Sequence, residues 1–167
     1  DSDGGITLES SSDNEIINNY LSDTGDAGIS LREGSHRNLI QGNIGSHTSD
    51  GSISLDDADY NQGLNNVMHL AGGAAMGLGN AHHNIIQGND FRFNPGGIEL
   101  GGGSSHNLIE NNNVSYSTAG GISIEGGVDN QIINNQANNT NAEGISVEAE
   151  NLDINGNPYG GSLIQGN

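Results

Sequence analysis

The chain has 167 residues, with 21 Asp and Glu against three Arg and no Lys, and its formal net charge of −18 repels nucleic-acid backbones and anionic lipid surfaces. Gly and Asn make up 54 of the 167 residues, and both are poor formers of helix interiors, so helix bundles and coiled coils are excluded. The absence of Cys removes disulfide stapling and thiolate metal sites, and no apolar run is long enough for a membrane-spanning helix.

From the N-terminus, the first element is an apolar-x-apolar strand signal at Ile6 and Leu8, followed by the pattern Asn14-x-Ile16-x-x-Asn19. The same two signals return as Ile29/Leu31 with Asn38, Ile40 and Asn43, and then as Ile53/Leu55 with Asn61 and Asn66, where Gly63 replaces the Ile. Next come Met76/Leu78 with Asn84, Ile86 and Asn89, Ile98/Leu100 with Asn107, Ile109 and Asn112, and Ile122/Ile124 with Asn130, Ile132 and Asn135. A seventh apolar pair, Ile145/Val147, precedes an insertion at 148–161, after which Leu163-Ile164-Gln165-Gly166-Asn167 is a degenerate last copy. The copies are 22 to 24 residues apart as far as Ile145/Val147, and the insertion delays the last one.

Short alternating strands at a fixed period of about 23 residues cannot bury their apolar positions within one repeat and must stack on their neighbours. The expected fold is all-β: a right-handed, single-stranded parallel β-helix of about seven coils, forming one domain over 1–167 and a rod about 34 Å long. Left-handed solenoids run on shorter hexapeptide repeats. Ile6, Leu8, Ile40, Ile86, Ile109, Ile132 and Ile164 are expected to face inward. The columns Asn14, Asn38, Asn61, Asn84, Asn107, Asn130 and Asn19, Asn43, Asn66, Asn89, Asn112, Asn135 are expected to form amide ladders at turns.

Copies such as Asn38-Leu39-Ile40-Gln41-Gly42-Asn43 and Gly28-Ile29-Ser30-Leu31 resemble the right-handed parallel β-helix repeat of pectate-lyase-like proteins, alginate epimerases and periplasmic copper-maturation proteins of nitrous oxide reductase. The resemblance covers nearly the whole chain. It implies the fold and leaves the activity open, because one solenoid hosts lyases, hydrolases, epimerases, adhesins and inert scaffolds. The epimerases' Asp-Pro-His signature is absent, since Pro95 and Pro158 follow Asn and precede Gly96 and Tyr159, and no Lys is present to serve as a lyase cation. The copper chemistry of the third group needs soft or imidazole ligands, for which two Met and scattered His are a poor set.

Read in columns, the sequence offers three candidate sites. The residues before the first Asn column are Asp13, Arg37, Tyr60, His83, His106 and Asp129; Tyr60, His83, His106 and Arg37 are the types that could abstract a sugar proton and neutralise a uronate. The same column is also an ordinary solvated turn. Past the second Asn column, Phe93 and Tyr116 fall on successive coils with Arg92, His69 and His47 nearby, a set suited to stacking on sugar C–H faces and binding hydroxyls. One of Phe91 and Phe93 is expected to face the core. Asp56, Asp57 and Asp59, with Glu125 stacked on Glu148 and with Glu150 and Asp153 beyond, are the calcium candidates; no other cofactor is expected. The two sequons, at Asn113 and Asn138, are no more than 26 Asn produce by chance.

The function expected from these readings is a secreted or cell-surface structural or adhesive module with glycan contact along one face; polysaccharide is the expected partner. The alternative is a lyase or C5-epimerase of acidic polysaccharide. Neither end carries a capping helix or charged terminal strand, so flanking coils or end-to-end stacking of copies into a filament is expected.

Overall fold

Residues 4–148 and 161–167 are described by a computed structural model, and every regular element among them is a β-strand. The first face stacks seven parallel strands, Ile6–Glu9, Ile29–Arg32, Ile53–Asp56, Ala74–Gly79, Gly96–Gly101, Ile122–Glu125 and Ile145–Glu148. Seven more, Glu15–Ile17, Leu39–Gln41, Gln62–Leu64, Ile85–Gln87, Leu108–Glu110, Gln131–Ile133 and Leu163–Gln165, form the second. A third face holds Tyr20–Ser22, Ile44–Ser46 and Val67–His69, and single bridges continue it through Asp90, Asn113 and Gln136. Each strand pairs with its equivalent one repeat away, so the chain is a parallel β-solenoid with the predicted period. Of the insertion at 148–161, only Glu148 and Gly161 are among the described residues; Glu150, Asp153 and Pro158 lie outside them.

The period-two side-chain alternation of strands sets the core. On the first face Ile6, Ile29, Ile53, Met76, Ile98, Ile122 and Ile145 run in one inward column, and Leu8, Leu31, Leu55, Leu78, Leu100, Ile124 and Val147 in another. The second face contributes Ile16, Ile40, Gly63, Ile86, Ile109, Ile132 and Ile164. The third contributes Leu21, Gly45 and Met68, and the buried Phe91 and Val114 follow Met68 up the stack. Ile164 departs from expectation: it holds register with Ile132 but stays 48% exposed, since it lies on the last coil and no described coil covers it. Ile6 and Leu8, on the first coil, are partly buried against the core.

Met68 fills the place left by Gly45, and Met76 packs against Gly63. A Cβ on Gly45 would sit 2.4 Å from Met68 Sδ, and one on Gly63 would sit 3.5 Å from Met76 Cε. Met suits such gaps because it is unbranched and flexible.

Each of the first six coils turns four corners on residues in the left-handed backbone region, most of them not glycine. One corner column is Asp13, Arg37, Tyr60, His83, His106 and Asp129, with φ between 55° and 62°. Another is Asp23, His47, Leu70, Phe93, Tyr116 and Asn139, with φ between 54° and 63°. This conformation costs a β-carbon-bearing residue about 1–2 kcal/mol, so the surroundings must hold it in place. At two of the corners the next residue does so: it is the ladder Asn, turned inward. The ten ladder residues from Asn38 to Asn135 are no more than 2% exposed. In both columns the backbone N–H donates to the Oδ1 of the next coil's Asn, at 2.7–3.0 Å. The bent backbone at these two corners therefore keeps its buried N–H groups paired.

Candidate functional site

A left-handed corner points its side chain away from the rod, and the repeat sets the next coil's equivalent residue one strand spacing above it. Side chains at a corner therefore stack along the axis. Phe93 and Tyr116 do so, with centroids 5.1 Å apart and planes inclined by 12°, and each ring is 47% exposed. Phe91, two residues earlier, is fully buried, which settles which of the two Phe serves the core.

The rings meet each other face to face. The flat platform expected from the sequence is thus a ridge, in which each ring has one face covered by the other. Their rims and the Tyr116 hydroxyl remain for a ligand. The His69 ring meets Phe93 edge-on at 5.9 Å, and the Arg92 guanidinium carbon lies 5.6 Å from the Phe93 centroid, within cation–π range.

Asp90, which the sequence reading did not single out, organises this cluster. Arg92 donates to its two oxygens through Nε at 2.8 Å and Nη2 at 2.7 Å, and His69 Nε2 lies 3.1 Å from Oδ1. Burial works against ionisation of Asp90, but the hydrogen bonds from Arg92 and the nearness of the His69 ring outweigh it and hold the carboxyl at about 2. The same pairing, chiefly the hydrogen bonds to Asp90, raises Arg92 further. The site's cation is therefore neutralised locally, leaving Nη1 without a bond among the described residues. Asp90 could have been found from its place two residues before Arg92, where a short acid can fold back on a guanidinium.

His47 lies in the same corner column as Phe93 but two coils below, with Leu70 between, and its Nδ1 is 3.2 Å from Ser46 Oγ. The structure brings together Phe93, Tyr116, Arg92 and His69, and places His47 apart from them.

At the other corner Tyr60, His83 and His106 form a continuous stack, with successive centroids 4.8 Å apart. His106 Nε2 ends it 3.5 Å from Asp129 Oδ2. Arg37, one coil below Tyr60, donates to both oxygens of Asp13 at 2.8 and 2.7 Å, a bidentate pair that lowers Asp13 and raises Arg37. The four residues proposed for proton abstraction thus share a column, but their rings face one another and the guanidinium is engaged by a carboxylate.

The calcium candidates do not converge. Asp57 accepts a bond from Asn80 Nδ2, and Asp59 accepts the His82 backbone N–H at 2.7 Å. Among the described residues no three His, Asp or Glu side chains are grouped as metal ligands. On the first face, Asp56, Glu99 and Glu125 line an open trough of about 350 Å³ beside Gly77, Gly79 and Gly101. Glu99 is raised there, chiefly by burial and further by the charge of Glu125.

No curated protein matches the chain. A sequence profile described as a right handed beta helix region matches residues 1–114 and again 64–167, which together span the chain. With stacked parallel coils on the page and that match across them, the chain belongs to the right-handed β-helix family.

Proposed function

We propose that this solenoid is an extracellular structural or adhesive module that contacts glycan along the ridge of Phe93 and Tyr116. The observation that carries the reading is the pair of rings held half-exposed on an outer corner while Phe91 fills the core. Exposed aromatics on a rigid frame lose little entropy on binding, and the Tyr116 hydroxyl and Arg92 Nη1 supply hydrogen bonds at the rim. Because Asp90 neutralises Arg92 and the chain carries −18, the ridge suits a neutral saccharide better than a uronate.

Retention on immobilised neutral and acidic polysaccharides tests this. Tyr116→Ala and Phe93→Ala are expected to abolish retention on a neutral matrix while the melting temperature falls by no more than a few degrees. Undiminished retention in both variants, or stability lost in step with binding, overturns the reading. Incubation with alginate and pectate tests the enzyme alternative, and unsaturated products or a changed epimer ratio would replace the adhesive reading with it.

A further inference from the structure

Directly before the corner that carries Tyr60, His83 and His106 runs a column whose residues differ in type and agree in role. Its members are Ser12, His36, Asp59, His82 and Ser105, and each side chain accepts the backbone N–H of the corresponding residue one coil on. His36 N–H donates to Ser12 Oγ at 3.0 Å, Asp59 N–H to His36 Nδ1 at 2.9 Å, and His82 N–H to Asp59 Oδ1 at 2.7 Å. Ser105 N–H then donates to His82 Nδ1 at 3.1 Å, and Val128 N–H to Ser105 Oγ at 3.0 Å.

A ring nitrogen accepts only when it carries no proton, so these two bonds require a bare Nδ1 in both rings. The surroundings of His82 agree, because its Nε2 is 3.3 Å from Asn80 Oδ1 and can donate there, while Asn80 Nδ2 donates to Asp57. Protonation would put a second N–H on Nδ1, aimed at the backbone N–H it now receives.

We propose that this corner is an acid-operated latch. Protonation of His36 and His82 opens the inter-coil bonds of Asp59 and Ser105. Both Asn ladders, whose amides do not titrate, keep the coils in register. Charged and titratable groups on the flanking turns bear on the rings. Around His36 these are Glu33 and Arg37 on its own coil, Asp13 below, and Asp57, Asp59 and Tyr60 above. Around His82 they are His83 on its own coil, Asp57, Asp59 and Tyr60 below, and His106 with its partner Asp129 above. None of them removes the conflict between two donors at Nδ1.

The test is nitrogen-15 NMR of the histidine rings together with backbone amide exchange, from about pH 7.5 to about pH 5. The Nδ1 atoms of His36 and His82 are expected to carry no proton at the upper pH and to gain one in the lower range. Over the same range, exchange at Asp59 and Ser105 should quicken about tenfold beyond its intrinsic pH dependence, as expected for one lost hydrogen bond. A His36→Ser/His82→Ser variant keeps an acceptor of the kind the column already uses at Ser12 and Ser105, and its exchange should stay flat. A proton on both Nδ1 atoms at neutral pH overturns the proposal, as does unchanged exchange in the wild type or equal acceleration in the variant. The ring measurement needs only the wild type, so it decides even if the variant does not fold.

Discussion

Asn89 reaches Asn112 through two donors at once, its backbone N–H at 3.0 Å and its Nδ2 at 2.8 Å from the same Oδ1. The remaining Nδ2 proton turns back to the Gly63 carbonyl at 2.9 Å, so one side chain ties three consecutive coils. Asn112 repeats the arrangement with Asn135 and the Ile86 carbonyl.

Replacing Asn112 with Ala would leave the Asn89 backbone N–H and one Asn89 Nδ2 proton without their acceptor in the interior and remove the Nδ2 donor to the Ile86 carbonyl. Each unpaired buried group costs about 1–3 kcal/mol, so a loss of at least about 2 kcal/mol is expected. His106→Ala, at an exposed corner, should cost less than about 1 kcal/mol. Urea unfolding midpoints measure both, and equal small effects would remove the ladder from the account of stability.

Gly45→Ala places a carbon against Met68 Sδ and is expected to cost about 1–3 kcal/mol by overpacking. Met68→Ala alone should cost about 2–5 kcal/mol by leaving a cavity. Combined, the two changes should cost less than their sum, because the added methyl occupies part of the space vacated. Additive costs in a double-mutant cycle would show that the two residues do not share a volume.

Phe91→Ala and Phe93→Ala separate the two adjacent rings. The first opens a core cavity and should cost about 3–5 kcal/mol. The second loses an exposed stack with Tyr116 and should cost no more than about 1.5 kcal/mol. A larger loss at Phe93 than at Phe91 would place the core ring at the wrong position.

Two carboxyls should bend the pH profile in opposite senses. Asp90 is held at about 2, below its ordinary 3.8, so its ionised form stabilises the fold above about pH 4 and that contribution fades as pH falls toward 2. Asp90→Asn should flatten this acid limb. Glu99 is raised, so its protonated form suits the fold and ionisation costs stability as pH rises. Glu99→Gln is expected to raise the melting temperature near pH 7 and to lose that advantage near pH 4, which thermal scans at the two pH values check.

The solenoid and its ladders could be read in the sequence because they repeat one residue type at one spacing. Even the Gly63 break was located by counting from its neighbours. The His36 and His82 column was not, because Ser, His and Asp do the same work there and no residue type recurs to reveal a shared role. The stacking of Phe93 on Tyr116 followed from the period, but its face-to-face geometry did not. It depends on the left-handed backbone at both residues, a conformation the sequence does not signal when the corner is not Gly or Asn. Ile164 has the right register but no described coil covers it, which no pattern within the repeat encodes.

The ladders also give the rod a direction. In both columns the backbone N–H of every Asn looks toward the C-terminal coil and every Oδ1 toward the N-terminal one, from Asn14 to Asn130 and from Asn19 to Asn167. A cross-section between any two coils therefore separates a layer that offers those N–H groups from a layer that offers the matching oxygens. Only a coil pointing the same way can re-form those bonds, since a coil turned upside down sets like against like. Any coil added to this rod, from the same chain or from another copy, must keep the orientation of the last, so growth is head-to-tail and a two-fold dimer through the stacking surface is disfavoured.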